Sequence, residues 1–314
     1  MKANGYGLGV DVVVPVLAAA GARQFFVAHM SEAAGVIAHV PPASLAVLHG
    51  VNSPADAAYA RAVGTRPVLN SLHQIKLWRD AGGGPCQIMV DSGINRLGLP
   101  PADCGDPLLS GLEIELLLSH LASAEEDTPQ NARQLAVFRS VSALFPGVRR
   151  SLSNSAGIAL GADYQFDMTR PGLALYGGVP CPALQDHIAQ VAFPEAAVLQ
   201  LRDLAAGDQV GYNATFTAPH AMRVATISLG YADGFLRQWA SPPNGGKVAL
   251  QHDGADLPVL GRISMDMVVA DCSAAPNLRE GDFCTLPYAL PTAAQASGLS
   301  QYELLTLLGD RFAR

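Results

Sequence analysis

Three lysines occur in the 314-residue chain, Lys2, Lys76 and Lys247, so chemistry that needs an amine nucleophile has three candidates. Lys2 opens the segment Lys2-Ala3-Asn4-Gly5-Tyr6-Gly7-Leu8-Gly9. A lysine at a strand end, followed by a small glycine-rich loop, suits Schiff-base formation with an aldehyde cofactor. Read alone, a lysine this close to the N-terminus is ordinarily a solvated charge. Arg96 lies in Val90-Asp91-Ser92-Gly93-Ile94-Asn95-Arg96-Leu97-Gly98, a strand end turning into a loop. A planar guanidinium there could hold a carboxylate or phenolate through paired hydrogen bonds, and a surface arginine is the competing reading. His120 follows Ser119 at the end of the apolar run Leu116-Leu117-Leu118, where a site residue and a core histidine are equally consistent. Asn154-Ser155-Ala156-Gly157 and Arg170-Pro171-Gly172-Leu173 place small and hydroxyl-bearing residues after two later strands, where barrels gather phosphate on backbone N–H groups. Three further clusters, Val210-Gly211-Tyr212-Asn213-Ala214-Thr215, Gly230-Tyr231-Ala232-Asp233-Gly234 and Gly261-Arg262-Ile263-Ser264-Met265-Asp266, are each explained as well by turns and core packing.

Other chemistries are disfavoured. The eight histidines show no HxxxH or HExxH spacing, and the five cysteines never form CxxC, so neither a metal site nor a disulfide framework is expected. A balance of 20 basic against 27 acidic side chains gives −7, which argues against non-specific nucleic-acid binding. No apolar run reaches the ~20 residues that span a bilayer, and the N-terminus lacks a secretory pattern, so a cytoplasmic setting without membrane contact is expected. With 49% hydrophobic and 15% charged residues, the chain can bury a large core.

The elements that must position these residues alternate through the first half. Strands are expected at 24–28, 44–49, 66–70, 86–91, 112–119, 149–153 and 165–170, with helical patterns between them. Ser31 starts one helix; Ser53 precedes Pro54, which suits a first helical turn; 71–81 and 129–145 carry apolar residues at three- and four-residue steps. Residues 1–7 read as the tail of a strand entering a loop. After Tyr176-Gly177-Gly178 the pattern changes to β-rich runs at 196–201, 223–228, 247–251, 257–261, 267–271 and 283–286, with a turn at 242–246 and a closing helix at 300–308. The expected fold class is α/β: a (β/α)8 TIM-type barrel lacking its first strand and preceding helix over 1–190, then a C-terminal mainly-β domain over 191–314.

Together these segments resemble the alanine racemases, pyridoxal-phosphate enzymes with an eight-stranded barrel and a C-terminal β-domain. The resemblance runs from Met1 to Arg314 and rests on the order and spacing of motifs at 2–9, 91–98, 119–120, 154–155, 167–178, 211–215, 230–234 and 261–266. It implies that Lys2 carries pyridoxal 5'-phosphate as a Schiff base and serves the D-side of the substrate. Tyr212 would serve the L-side of a partner subunit's site, because one base tends to return a proton to the face it came from. A phenol ordinarily titrates near ~10, and the family's supporting hydrogen-bonded chain would here join Tyr212, His120 and Arg170. Arg170 would face the pyridine nitrogen, and Arg96 the phenolic oxygen and the substrate carboxylate. Tyr6, Ser155, Gly172 and Leu173 would hold the phosphate, while Tyr231, Met265 and Asp266 would line the substrate entrance, Met265 reaching the partner's site. The implied activity is interconversion of L- and D-alanine by a homodimer for peptidoglycan precursors. A broader amino-acid racemase and a non-catalytic pyridoxal-phosphate-binding homologue are the rivals; Tyr212, Tyr231 and Met265 weigh against the second.

The sequence also departs from the family. Leu8 stands where histidine is frequent, Met89 where some members carry a carbamylated lysine that helps set Arg96, and Asp310 where some carry a phosphate-binding tyrosine. The chain starts one residue before the Schiff-base lysine, whereas the family has a helix and a strand upstream. The expectation is that this start is internal to a longer chain and that the polypeptide as written is poorly active or inactive. Expressed beside a version carrying about 35 upstream residues, roughly one strand–helix unit, it should racemise more slowly; equal rates by chiral chromatography would refute this.

Overall fold

The structure, a computed structural model, describes residues 1–240 and 248–313. Lys247 and the turn expected at 242–246 lie outside the described residues. The chain divides into two units, Met1–Leu175 with Val179–Ile188, and Tyr176–Gly178 with Ala189–Arg314.

In the first unit six strands, β1 (Phe25–Val27), β2 (Leu45–Val47), β3 (Arg66–Leu69), β4 (Pro85–Met89), β5 (Glu113–Leu118) and β6 (Arg149–Ser151), pair in parallel in chain order. Helices α1 (Lys2–Tyr6), α2 (Val10–Ala19), α3 (Ala33–Ile37), α4 (Pro54–Val63), α5 (Leu72–Asp80) and α6 (Pro129–Ser142) precede and connect them, and α7 (Ala162–Gln165) follows β6. The helices expected at Ser53, within 71–81 and within 129–145 all form, each with a side-chain cap. Ser53 accepts a hydrogen bond from the Asp56 N–H with Pro54 in the first turn, Ser71 accepts from Gln74, and Thr128 accepts from Gln130. The start expected at Ser31 lies two residues earlier, at His29, because the Glu32 carboxylate accepts the His29 N–H.

A parallel sheet buried on both faces needs apolar side chains on each, and period-two alternation sorts them here. Leu116 and Leu118 of β5 join Ala46, Val68 and Met89 in one cluster, while Leu117 joins Leu69, Ile88, Trp78 and Phe138 beneath the helices.

One expected strand does not form. Residues 162–165 are helical, Phe166 takes φ 52°, and the Asp167 side chain occupies the Arg150 N–H that a ladder would use. Residues 167–170 still run beside β6, held by Asp167 N–H to Arg150 O at 3.1 Å and Arg170 N–H to Ser153 O at 2.9 Å. The parallel sheet therefore has six strands among the described residues, where seven were expected.

In the second unit β7 (Glu195–Leu204), β10 (Met222–Ile227), β11 (Ala249–His252), β12 (Ala255–Leu260), β13 (Val268–Asp271) and β14 (Phe283–Thr285) close an antiparallel barrel in the order β10-β13-β12-β11-β14-β7. All six overlap the strands expected from the sequence. A two-residue ladder, β8 (Gln209–Val210) with β9 (Phe216–Thr217), stands apart from it. Helices α8 (Leu290–Ser297) and α9 (Gln301–Thr306) follow, the second capped by Ser300 and Glu303.

Phe138 is fully buried and meets Phe166 edge to face at 5.2 Å. Phe138→Ala should cost about 3–5 kcal/mol, measured as a shift of the urea midpoint; a loss below about 1 kcal/mol would contradict this packing.

Candidate active site

Lys2 begins a turn of unusual hand. Ala3 (φ 52°), Asn4 (φ 51°), Gly5 (φ 64°), Tyr6 (φ 55°) and Gly7 (φ 82°) all occupy the left-handed region. The strand tail expected at 1–7 is therefore absent. Each non-glycine residue in that region costs roughly 1–2 kcal/mol, so such a run persists only where surrounding bonds over-determine it. Here they do. Gly7 N–H reaches Ala3 O and Gly9 N–H reaches Asn4 O, both at 2.9 Å; the Asn4 side chain accepts the Val10 N–H at 3.0 Å. The Glu32 carboxylate accepts the Ala3 N–H at 2.5 Å. The Lys2 amine titrates below the ordinary lysine range, first because it is partly desolvated and then because Arg96 repels its proton, with Glu32 acting the other way.

Tyr6 is 8% exposed, and its ring centre lies 5.9 Å from Lys2 Nζ. Burial raises its phenol's pKa. Its hydroxyl sits against Gly172, where a Cβ would fall 2.5 Å from the oxygen, so only glycine permits this approach. Buried Ser155 accepts the N–H groups of Gly172 at 2.9 Å and Ala174 at 3.2 Å, beside buried Leu173. The Tyr6 phenol and the Ser155 hydroxyl are thereby gathered at Gly172, two groups of the kind that donate to a phosphate monoester.

Arg170 donates to the Ser119 carbonyl and to Ser151 Oγ, and among the described residues no carboxylate pairs with it. Burial lowers its pKa to about 10, which still leaves a cation at neutral pH. His120 lies on the same side, its pKa pulled down to about 3 by burial and then by Arg170, Arg96 and Lys2. Among the described residues no hydrogen bond joins its ring to Arg170; the two interact through charge. Met89 is buried at the end of β4 beneath the Arg96 loop, its Cγ 3.0 Å from where a Gly98 Cβ would lie. Asp91 Oδ1 accepts the N–H groups of Gly93, Ile94 and Asn95, closing that loop and presenting exposed Arg96.

Three organising residues escaped the sequence reading: Glu32, Asp91 as a loop clamp, and Gln134. Gln134 on α6 donates to the His120 carbonyl at 2.9 Å and accepts the Ala122 N–H at 2.9 Å, fixing the loop after β5. Its only signal was a polar residue on the inward stripe of an amphipathic helix. Lys76 differs in setting, exposed and paired with Asp80 at 2.6 Å.

The remaining candidates belong to the second unit. A Cβ on Gly230 would fall 2.1 Å from Met265 O, and the N–H groups of Tyr231 and Ala232 bond Ser264 O and Met265 O at 3.1 and 3.0 Å. Tyr231, Met265 and Asp266 are thereby brought together, with Asp266 accepting from Arg311 at 2.6 Å. Tyr212, 69% exposed, tops the β8–β9 turn, whose Val210 carbonyl lies 3.2 Å from where a Gly261 Cβ would sit.

The electrostatics of His120 fix a pH response. In the folded chain it stays neutral down to about pH 3, whereas unfolded it takes a proton near pH 6.5. Between these values the unfolded state binds more protons, so His120 withdraws stability as pH falls, by up to about 1.4 kcal/mol per pH unit. His120→Asn should flatten the decline of the urea-derived unfolding free energy between pH 6.5 and 3; slopes identical to the parent's would contradict the assignment.

Comparison with known proteins identifies the family of each unit. Residues 1–180 match the family described as alanine racemase, N-terminal domain, and 191–314 match alanine racemase, C-terminal domain. A protein of Methylobacterium nodulans named alanine racemase is 42% identical over 329 residues, covering 100% of this chain and 87% of its own. The crystal structure of alanine racemase from Bartonella henselae, with covalently bound pyridoxal phosphate, superposes with a TM-score of 0.89 at 36% identity, covering 100% of this chain and 90% of that one. The biosynthetic alanine racemase of Pseudomonas aeruginosa gives 0.86 at 32%, with 100% and 90% covered. With both of its units matched in order and relatives of this similarity spanning its full length, the chain belongs to the alanine racemase family.

Proposed function

We propose that this protein interconverts L- and D-alanine with pyridoxal 5'-phosphate attached at Lys2, using Lys2 and Tyr212 as two proton-transfer groups on opposite faces of the substrate. The observation that carries the reading is the cluster of Lys2, Tyr6 and Gly172, an amine of lowered proton affinity beside a phenol that only a glycine admits. When bound, pyridoxal phosphate supplies an aldehyde for amine attachment and an electron sink that makes the α-proton of an amino acid removable.

The chain's residues do the rest. Lys2, its proton held less tightly than in an ordinary lysine, presents a larger neutral fraction, which is the form that bonds a carbonyl or takes a proton. Tyr6, Ser155, Gly172 and Leu173 seat the phosphate. Arg170, a cation throughout the working range, would face the ring nitrogen and disfavour its protonation, and neutral His120 adds no further charge. Arg96 orients the substrate carboxylate. Tyr212 gives and takes its proton from the second face in the site of another copy. Its 69% exposure, with Met265 at 51%, supports a role at a surface that another protomer covers. Tyr231, Met265 and Asp266 form the entrance that admits a small amino acid. No helix among the described residues is long and apolar enough to cross a membrane, in keeping with work in the cytoplasm that feeds D-alanine to peptidoglycan precursors.

Loading the protein with pyridoxal phosphate, reducing with borohydride and mapping peptides should place the pyridoxyl group on Lys2; labelling of Lys76 or Lys247 would overturn the reading. Tyr212→Phe should keep that label while losing racemisation by about 100-fold or more, and an unimpaired variant would remove the two-base assignment.

A further inference from the structure

Glu32 makes three charge-assisted contacts that the roles above do not use. Oε1 accepts the Ala3 N–H at 2.5 Å, while Oε2 accepts the N–H groups of Ala28 at 2.9 Å and His29 at 3.0 Å. Ala3 is the residue after Lys2 and the first of the left-handed run; Ala28 and His29 follow directly on β1. A single carboxylate thus spans from the strand end to the backbone that carries the amine. Bonds from ionised acceptors to N–H groups are roughly twice as strong as neutral ones, and an unfavourable backbone needs such ties.

The charges around the amine single Glu32 out. Arg96 reaches toward Lys2 from the loop after β4, His120 from the end of β5, and Met1 contributes its α-amino group. His29 and His49, with ring centres 4.2 Å apart, stand at the ends of β1 and β2, and His49 also senses Lys2 and Glu32. Among the described residues Glu32 is the one carboxylate acting on Lys2 in this group.

We propose that Glu32 is a positioning residue for Lys2, bridging the left-handed turn to the end of β1 and placing one negative charge beside the amine. This rests on the reading of Lys2 as the working amine. Glutamine at position 32 would keep the size but lose the charge and replace one acceptor with a donor, so Ala3 or the Ala28–His29 pair would lose its partner. Aspartate would keep the charge and shorten the reach.

Competitive acylation of the full chain with acetic anhydride across pH 6–11, read by mass spectrometry with Lys76 as internal reference, tests this without cofactor. In Glu32→Gln the Lys2 midpoint should fall by about half a pH unit or more while Lys76 stays fixed. In Glu32→Asp the midpoint should stay near the parent's, while borohydride-trapped pyridoxal phosphate accumulates on Lys2 several-fold more slowly. A parental Lys2 midpoint in folded Glu32→Gln would overturn the proposal. If circular dichroism shows that variant unfolded, Glu32→Asp decides, and trapping at the parental rate overturns it. Trapping of the parent at another lysine would instead overturn the reading of Lys2 on which the proposal rests, a failure distinct from an unmoved Lys2 midpoint.

Discussion

The site depends on a backbone held in the wrong hand. Five successive positive φ angles after Lys2 turn the chain sharply. The lysine is delivered on one side of that turn and Tyr6 on the other. The left-handed turn brings the Lys2 amine to 5.9 Å from the centre of the Tyr6 ring, four positions along the chain, where an extended strand would hold them apart. Its cost is met locally by Asn4, whose side chain and carbonyl are both used, and at longer range by Glu32. Sequence, strain and site are therefore one problem at this point in the chain.

Electrostatics around the turn follow a consistent logic. Arg170, half-buried and without a carboxylate partner among the described residues, is tolerated because a carbonyl and a serine hydroxyl accept its N–H groups. Desolvation depresses both His120 and Lys2 most; Arg170 and Arg96 then act on His120, and Arg96 on Lys2. The same field that keeps the imidazole neutral makes the amine more available. Glu32 is the counterweight that stops this from going further.

Much of this was legible in the residues, and what was not has physical causes. The strands of both units could be placed because their apolar patterns are short, β-branched and bounded by turn residues. The helix start at Ser53 read correctly because a cap is a local hydrogen bond, and the helices within 71–81 and 129–145 read correctly from their apolar steps. The stretch at 165–170 misled because its pattern is strand-like, and the outcome turned on Asp167 taking an N–H from a neighbouring strand. Residues 1–7 misled differently. Asn4, Gly5 and Gly7 signalled tolerance of left-handed backbone, but the partner that stabilises it lies 29 residues away at Glu32. Gln134 and Asp91 were hidden for the same reason, since a polar residue that organises a loop looks like any other polar residue until its acceptors are known.

The approach of Tyr6 to Gly172 carries an implication for how such a chain can change. A methyl group at 172 meets the phenolic oxygen at 2.5 Å, and the two positions are 166 residues apart in sequence. A larger residue at 172 requires the phenol to shift or to give way to a smaller group, and Ser155 ties Gly172 to a third position. Variation at these places is coupled, so tolerated exchanges should arrive as pairs, and a mutational landscape scanned one position at a time would understate what this pocket can accept.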